Sequence, residues 1–383
     1  MTPSATLEAD RTQTDRRVDS TLRRVLLTLD GVGGVGRYAV DLARSLGERG
    51  IATLLVGFGP RPTPEFAAEI LGLAHAELVW GGPDLEWTAP DEAAFAAQTA
   101  ALDACIRTWK PDLIHLNSPA FAADLAPRVP TVAMMHSCTA TWWQAVKGTP
   151  LPGHLAWQRD RIARGLGRVA RVIVPSASYR DQVLRVYDPI DTVRVVANGT
   201  DRPATTNAQD PFVLAAGRWW DEGKNGAALD AAAASCAWPV FMAGPLQSPT
   251  GEGLALAHAH ATESLPPDEM TEIMRRAAIF VSPSRFEPFG LAVLEAAIAG
   301  AALVLADIPT FRELWDGAAL FAAPGHPDAF AAAINRLADD VALRRRLSGR
   351  ATAIARRHTI AREAEGTLAV YAEAMAAHRR EVC

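Results

Sequence analysis

A chain of 383 residues, 49% hydrophobic and 21% charged, has the length of about two ordinary domains and the composition of a soluble globular protein. Its formal net charge of −5 and pI near 6.0 argue against general nucleic-acid binding. No apolar run reaches the roughly 18 residues of a membrane span, the N-terminus lacks a signal-peptide core, and Cys105, Cys138, Cys236 and Cys383 are too scattered for a zinc site or disulfide framework, so reduced thiols and a cytoplasmic setting are expected.

Residues 1–21 are polar with little to bury and read as a flexible tail. Short apolar runs then alternate with longer helical stretches, the pattern of parallel sheets with crossover helices. The first set comprises Val25–Leu29, Ile51–Phe58, Leu113–Leu116, Thr131–Met135, Val172–Val174 and Val193–Val196. After a polar, Pro-containing stretch at 201–211 that reads as a linker, the second comprises Phe212–Ala216, Val240–Ala243, Ile279–Val281, Ala302–Ala306 and Ala319–Phe321. Two Rossmann-like halves are expected, at 22–200 and 212–360, each a doubly wound parallel sheet, with ligands gathered beyond the carboxyl ends of the strands. Two such sheets facing across a cleft would place the site between them.

In the first half, Gly31-Val-Gly-Gly-Val-Gly36 follows a strand and opens a helix. It satisfies G-x-G-x-x-G formally, which raises an NAD-dependent oxidoreductase as an alternative. That fingerprint also requires an acid at the end of the second strand, where this chain has Gly57-Phe58-Gly59. The loop at Gly33 and Gly34 reads better as a close-approach surface for a diphosphate and an acceptor, or as glycines permitting a tight turn. His136 ends a strand, a place where packing or hydrogen bonding also accounts for a histidine. Trp142 and Trp143 follow, either an acceptor platform or core packing. Arg159, Arg161, Arg164, Arg168 and Arg171 read as a solvated face, with contact to anionic lipid as the alternative. His258 and His260 form an H-x-H without a third ligand nearby and read as loop residues.

In the second half, Arg218 ends a strand and Lys224 follows after Trp219-Trp-Asp-Glu-Gly223. Two fixed cations there could neutralise a leaving diphosphate, as a metal ion would elsewhere; a solvated pair is the plain alternative. The chain has no D-x-D. Arg285-Phe-Glu-Pro-Phe-Gly-Leu-Ala-Val-Leu-Glu295 spans a strand-to-helix turn, with amides at Phe289, Gly290 and Leu291 placed for phosphate or a sugar oxygen. Glu295 is the one charge in an apolar helix. Ribose hydroxyls would satisfy it, as would an ordinary core partner.

The last segment, with its two glutamates eight positions apart, resembles the E-x7-E signature of glycosyltransferase family 4, retaining enzymes of the GT-B fold. The resemblance continues through Gly217-Arg218 with Lys224, Ala243-Gly244-Pro245, Asn198-Gly199, His136 and the glycine loop, and so covers roughly residues 23–375. This chain has five residues between Arg218 and Lys224 where the family commonly has four, and Ser137 where many relatives carry aspartate. The resemblance implies a last helix at 361–383 that crosses back to the first half. It implies a retaining hexosyltransferase using a nucleotide-diphosphate sugar, UDP- or GDP-linked, without a metal or other cofactor. The acceptor would be a hydroxyl of a glycan, a lipid-linked sugar or a small molecule, and peripheral contact with the inner face of the membrane is compatible with it. His136, Arg218, Lys224 and Glu287 would be catalytic. Gly33, Gly34, Gly244, Pro245, Phe289, Gly290, Leu291 and Glu295 would bind the donor, with the base near Gly244-Pro245, and Trp142 and Trp143 would take the acceptor. The rival readings are a GT-B-type nucleotide-sugar epimerase or hydrolase and a non-catalytic sugar-nucleotide sensor.

Overall fold

The computed structural model describes residues 22–31, 33–126, 128–187, 190–201, 209–248 and 251–382. The expected tail at 1–21 and most of the expected linker lie outside them. In chain order the strands of the first sheet are β1 (Arg24–Asp30), β2 (Ala52–Phe58), β3 (Ala76–Gly82), β4 (Leu113–Leu116), β5 (Thr131–Met134), β6 (Arg171–Val174) and β7 (Val193–Val195). Those of the second are β8 (Asp210–Ala216), β9 (Val240–Ala243), β10 (His260–Glu263), β11 (Ala277–Ser282), β12 (Ala302–Ala306) and β13 (Ala319–Ala322).

The sheet orders are β3-β2-β1-β4-β5-β6-β7 and β10-β9-β8-β11-β12-β13. Every strand pair with a described register is parallel. Central strands of such sheets are covered by helices on both faces, which is why they are apolar without alternation. Val25, Leu26 and Leu27 of β1, and Val213 and Leu214 of β8, are fully buried. The two strands without a counterpart in the sequence reading, β3 and β10, are both sheet edges. In β3, Ala-Glu-Leu-Val-Trp-Gly-Gly alternates between half-buried and exposed positions over its first five residues, so it carries no apolar run. His260 belongs to β10, not to a loop, and its ring packs 5.3 Å from that of Phe241.

Both sheets wind outward in two directions from their first strand. In the first, β2 and β3 lie to one side of β1, and β4 begins the other; in the second, β9 and β10 lie to one side of β8, and β11 begins the other. These reversals, between β1 and β4 and between β8 and β11, are where open parallel sheets leave room for ligands at their carboxyl ends.

The chain groups into two compact units, one of Met1–Met134, Arg164–Ile173 and Ala364–Cys383, the other of Met135–Ala163 and Val174–Glu363. In the first unit, the buried Tyr371 hydroxyl lies 2.7 Å from His115 Nδ1, and Arg171 Nε donates to Glu373 at 2.9 Å. Both contacts tie the C-terminal helix Ile360–Val382 to strands of that unit. Among the described residues, no helix is long and apolar enough to cross a membrane.

Candidate functional site

The second unit holds most of the residues singled out above. Three neighbouring strands, β9, β8 and β11, end together, and the chain leaving each of them carries one part of the site. Beyond β8 come Gly217 and Arg218, beyond β9 come Gly244 and Pro245, and beyond β11 comes the turn 283–290. The first two strand ends are sewn together: Gly217 N donates to Ala243 O at 3.0 Å, Trp219 N to Pro245 O at 2.9 Å, and the buried Trp219 Nε1 to Ala243 O at 3.0 Å. Gly244 has φ 116°, and a Cβ there would overlap the carbonyl oxygen of Gly217, so both backbone shape and space demand glycine.

The turn at Glu222–Lys224 is joined in the same way to the turn beyond β11. Arg285 N donates to Gly223 O at 2.8 Å, and Lys224 Nζ donates to Glu287 Oε2 at 2.6 Å. This ion pair is mostly shielded, with side-chain exposures of 21% and 15%. Arg218 is more open and lies 3.8 Å from Asp221, with its guanidinium 5.5 Å from the Trp220 ring centre. The expected cations and Glu287 therefore stand together. Gly290, at φ 95°, is the N-cap of the helix Leu291–Ile298, whose first-turn amides have no partner within the helix. Phe289 is buried and meets the His358 ring edge-on at 5.7 Å. Along that helix Val293, Leu294, Ala296, Ala297 and Ile298 are buried, while Leu291, Ala292 and Glu295 share a half-buried stripe. Glu295 thus lies one turn after Leu291 on the face that the core leaves open.

His136 follows β5 and is only partly covered at its surface, yet its surroundings strip water from the imidazolium. That burial lowers its pKa from 6.5 to about 3, so the ring is neutral at ordinary pH. Trp142 and Trp143 lie on the helix Thr139–Val146, ring centres 6.2 Å apart. Both indole N–H groups are engaged, Trp142 with Asp221 Oδ1 at 2.9 Å and Trp143 with Thr149 Oγ1 at 3.1 Å.

Gly33 and Gly34 belong to the first unit. They lie exposed at the entrance of the helix Gly34–Gly47, with Gly33 at φ 75°, beside the reversal between β1 and β4. Asp30 ends β1 just before them, and burial, with the nearby Glu86 adding to it, holds its carboxyl well above the usual carboxylate range. The five arginines do not form one solvated face. Arg161 is buried at 1% exposure, Arg168 reaches Leu125 O, Arg164 pairs with Glu92, and Arg171 stands on β6.

The profile of Glycosyltransferase Family 4 matches residues 32–202, and that of the glycosyl transferases group 1 matches residues 210–340. The chain belongs to glycosyltransferase family 4. This family 4 glycosyltransferase is 27% identical over 367 residues to a glycogen synthase of Mycobacterium tuberculosis, an alignment covering 82% of this chain and 84% of that one. A sucrose-phosphate synthase from Thermosynechococcus elongatus has a similar structure, with a TM-score of 0.75 at 17% identity over 93% of this chain and 100% of that one. Anabaena Alr3699/HepE, solved in complex with UDP and glucose, gives a TM-score of 0.70 at 17% identity over 91% and 99%. With its two parallel α/β sheets, the glycosyltransferase has the GT-B fold.

Sequence reading missed several residues that build the candidate site. Asn225, at φ 58°, sends its amide to Pro283 O at 3.0 Å and to Pro324 O at 2.8 Å, locking the turn that carries Lys224. Ser176 Oγ donates to Pro288 O at 2.7 Å, inside the glutamate signature. Asp221 accepts from both Trp142 and Gly223 N. An asparagine followed by glycine, Asn225-Gly226, in the turn that carries Lys224 was the available signal for Asn225, because asparagine tolerates the left-handed conformation. Ser176 and Asp221 each cap a local turn, accepting from Tyr179 N and Gly223 N, but nothing local signals their second partners, which lie 112 and 79 residues away.

Proposed function

We propose that this glycosyltransferase moves a hexose-type sugar from a nucleotide-diphosphate donor, UDP- or GDP-linked, to a hydroxyl of a glycan, a lipid-linked sugar or a small molecule, with retention of the α configuration. The observation that carries the reading is the convergence of Arg218, the Lys224–Glu287 pair and the N-terminus of the helix Leu291–Ile298 beside the β8/β11 reversal. Two cations and a helix N-terminus suit a departing diphosphate, whose charge grows in the transition state. They supply the positive charge that a divalent metal provides in other transferases, so the reaction needs no metal. The UDP and glucose bound to HepE, and the glycogen synthase relative, support a nucleotide-linked hexose.

In this reading Glu287, one hydrogen bond from Lys224, holds sugar hydroxyls next to the leaving phosphate. Glu295 takes the ribose, backbone groups around Gly244 and Pro245 read the base, and the first-turn amides near Phe289, Gly290 and Leu291 meet phosphate. The neutral imidazole of His136 hydrogen-bonds the transferring sugar without adding charge. Gly33 and Gly34 allow close approach of diphosphate and acceptor, and Trp143 offers a ring to the acceptor. The departing phosphate takes the acceptor proton as the new bond forms on the face the nucleotide leaves.

The test combines product analysis with variants. The anomeric configuration of the product, read by NMR from candidate UDP- and GDP-hexoses, should be α, and activity should persist in excess EDTA. Arg218→Ala and Lys224→Ala should each lose about 30-fold to 1,000-fold in turnover, or roughly 2–4 kcal/mol of transition-state stabilisation. A β product, abolition by chelation, or near-normal turnover in both variants would contradict the reading.

A further inference from the structure

Asp221 lies between the two cations in sequence, yet its closest partners are a tryptophan 79 positions earlier and a backbone amide. Its Oδ1 accepts from Trp142 Nε1 at 2.9 Å and from Gly223 N at 2.8 Å, while Oδ2 stands 3.8 Å from Arg218 Nη2. The side chain is 13% exposed. A Cβ on Gly223 would come 2.6 Å from Trp142 Nε1, so the indole sits directly on the turn. A second tether runs alongside: Lys147 Nζ reaches Glu222 Oε2 at 2.6 Å and lies 5.9 and 5.8 Å from the ring centres of Trp142 and Trp143. The helix Thr139–Val146 and its C-cap Lys147 thus grip the turn 218–224 at two successive acidic residues, and that turn ends in Lys224.

We infer that Asp221, anchored by Trp142, is a positioning residue that fixes Arg218 and Lys224 for the donor's terminal phosphate. The inference rests on the function proposed above and assigns Trp142 to the donor side of the site rather than to the acceptor. Its physical basis is a division of labour on one carboxylate. One oxygen is saturated by two neutral N–H donors that set the path of the turn. The other is left at 3.8 Å from Arg218, near enough to orient the guanidinium and too far to compete strongly with a phosphate for it. Without the indole N–H, the turn and both cations lose their common reference point.

Titration calorimetry of UDP and GDP, with UMP and GMP as controls, tests this on the full chain. Trp142→Phe keeps an aromatic ring at this position and deletes the N–H donor together with the pyrrole part of the indole. It should weaken the diphosphate that the wild type binds by about tenfold, the scale of one hydrogen bond to a charged group, and leave the matching monophosphate unchanged. In an Asp221→Ala background, Trp142→Phe should add nothing further, because the two act through one contact. Equal losses for di- and monophosphate, no loss for either, or additive effects of the two substitutions would overturn the inference. Arg218→Ala separates the two levels. If it weakens diphosphate binding while Trp142→Phe does not, only the positioning role fails; if the wild type binds none of the four nucleotides, the proposed function fails with it.

Discussion

His136 and Glu287 show how burial and pairing set what a single side chain can do. An imidazole with an ordinary pKa of 6.5, lowered by burial to about 3, stays neutral in the folded protein while its unfolded counterpart takes a proton below pH 6.5. The unfolded state therefore binds more protons between these values, and stability is lost as pH falls through that window. At pH 5 the penalty from this one group is about 2 kcal/mol. His136→Gln should accordingly show a smaller drop in Tm between pH 7 and pH 5 than the wild type; parallel curves would mean that the ring titrates normally. Glu287 is held by Lys224 at 2.6 Å. Glu287→Gln removes the negative charge that occupies Lys224, so free nucleoside diphosphate should bind equally well or more tightly, whereas the sugar-bearing donor should bind more weakly and turn over more slowly. Calorimetry with both ligands checks this, and a matching loss for the two would remove Glu287 from the sugar.

Elements rather than residues explain why the site is where it is. The buried strands β1, β8, β11 and β12 were legible as apolar runs because helices cover both their faces, and the strand-to-helix turn at 285–295 was legible because its two glutamates interrupt such a run. The edge strands β3 and β10 were not legible, since an edge is half-solvated and carries mixed residues. The clamp between the turn at Glu222–Lys224 and the turn beyond β11 was equally invisible, because its bonds join positions 58 to 99 residues apart. Asn225 is its centre, buried at 5% exposure and donating to the carbonyls of Pro283 and Pro324. Asn225→Ala deletes both bonds and places alanine at φ 58°, a combined cost of about 2–4 kcal/mol. Asn225→Gly relieves the backbone alone, so it should recover part of the stability but not diphosphate affinity. If glycine restores both, the amide bonds are dispensable and backbone shape alone holds Lys224.

At the scale of the whole molecule, the two sheets follow one another along the chain while the two compact units interleave. Residues 135–163 group with the second unit although they precede its sheet, and the end of the chain, Ala364–Cys383, groups with the first. Such a path ties each unit's stability to chain segments that are distant in sequence, and it gives the two units separable tests. Tyr371 is fully buried in the first unit and hydrogen-bonds His115 of β4, the strand beside β1, while Arg218, Lys224 and the helix entrance at Leu291, proposed to hold the donor phosphates, lie in the second. Burial holds the Tyr371 hydroxyl far above the usual phenol range, so it stays protonated and able to donate at any working pH. Tyr371→Phe should cost about 1 kcal/mol by deleting that bond, and Tyr371→Ala about 3–5 kcal/mol through the cavity it leaves. Denaturation followed by circular dichroism should record both losses, larger for alanine. Nucleoside diphosphate affinity, measured on the same samples below the transition, should match the wild type, because the cations and the helix entrance proposed to meet the phosphates belong to the other unit. An affinity that falls in step with stability would instead show that the donor site depends on the integrity of the first unit.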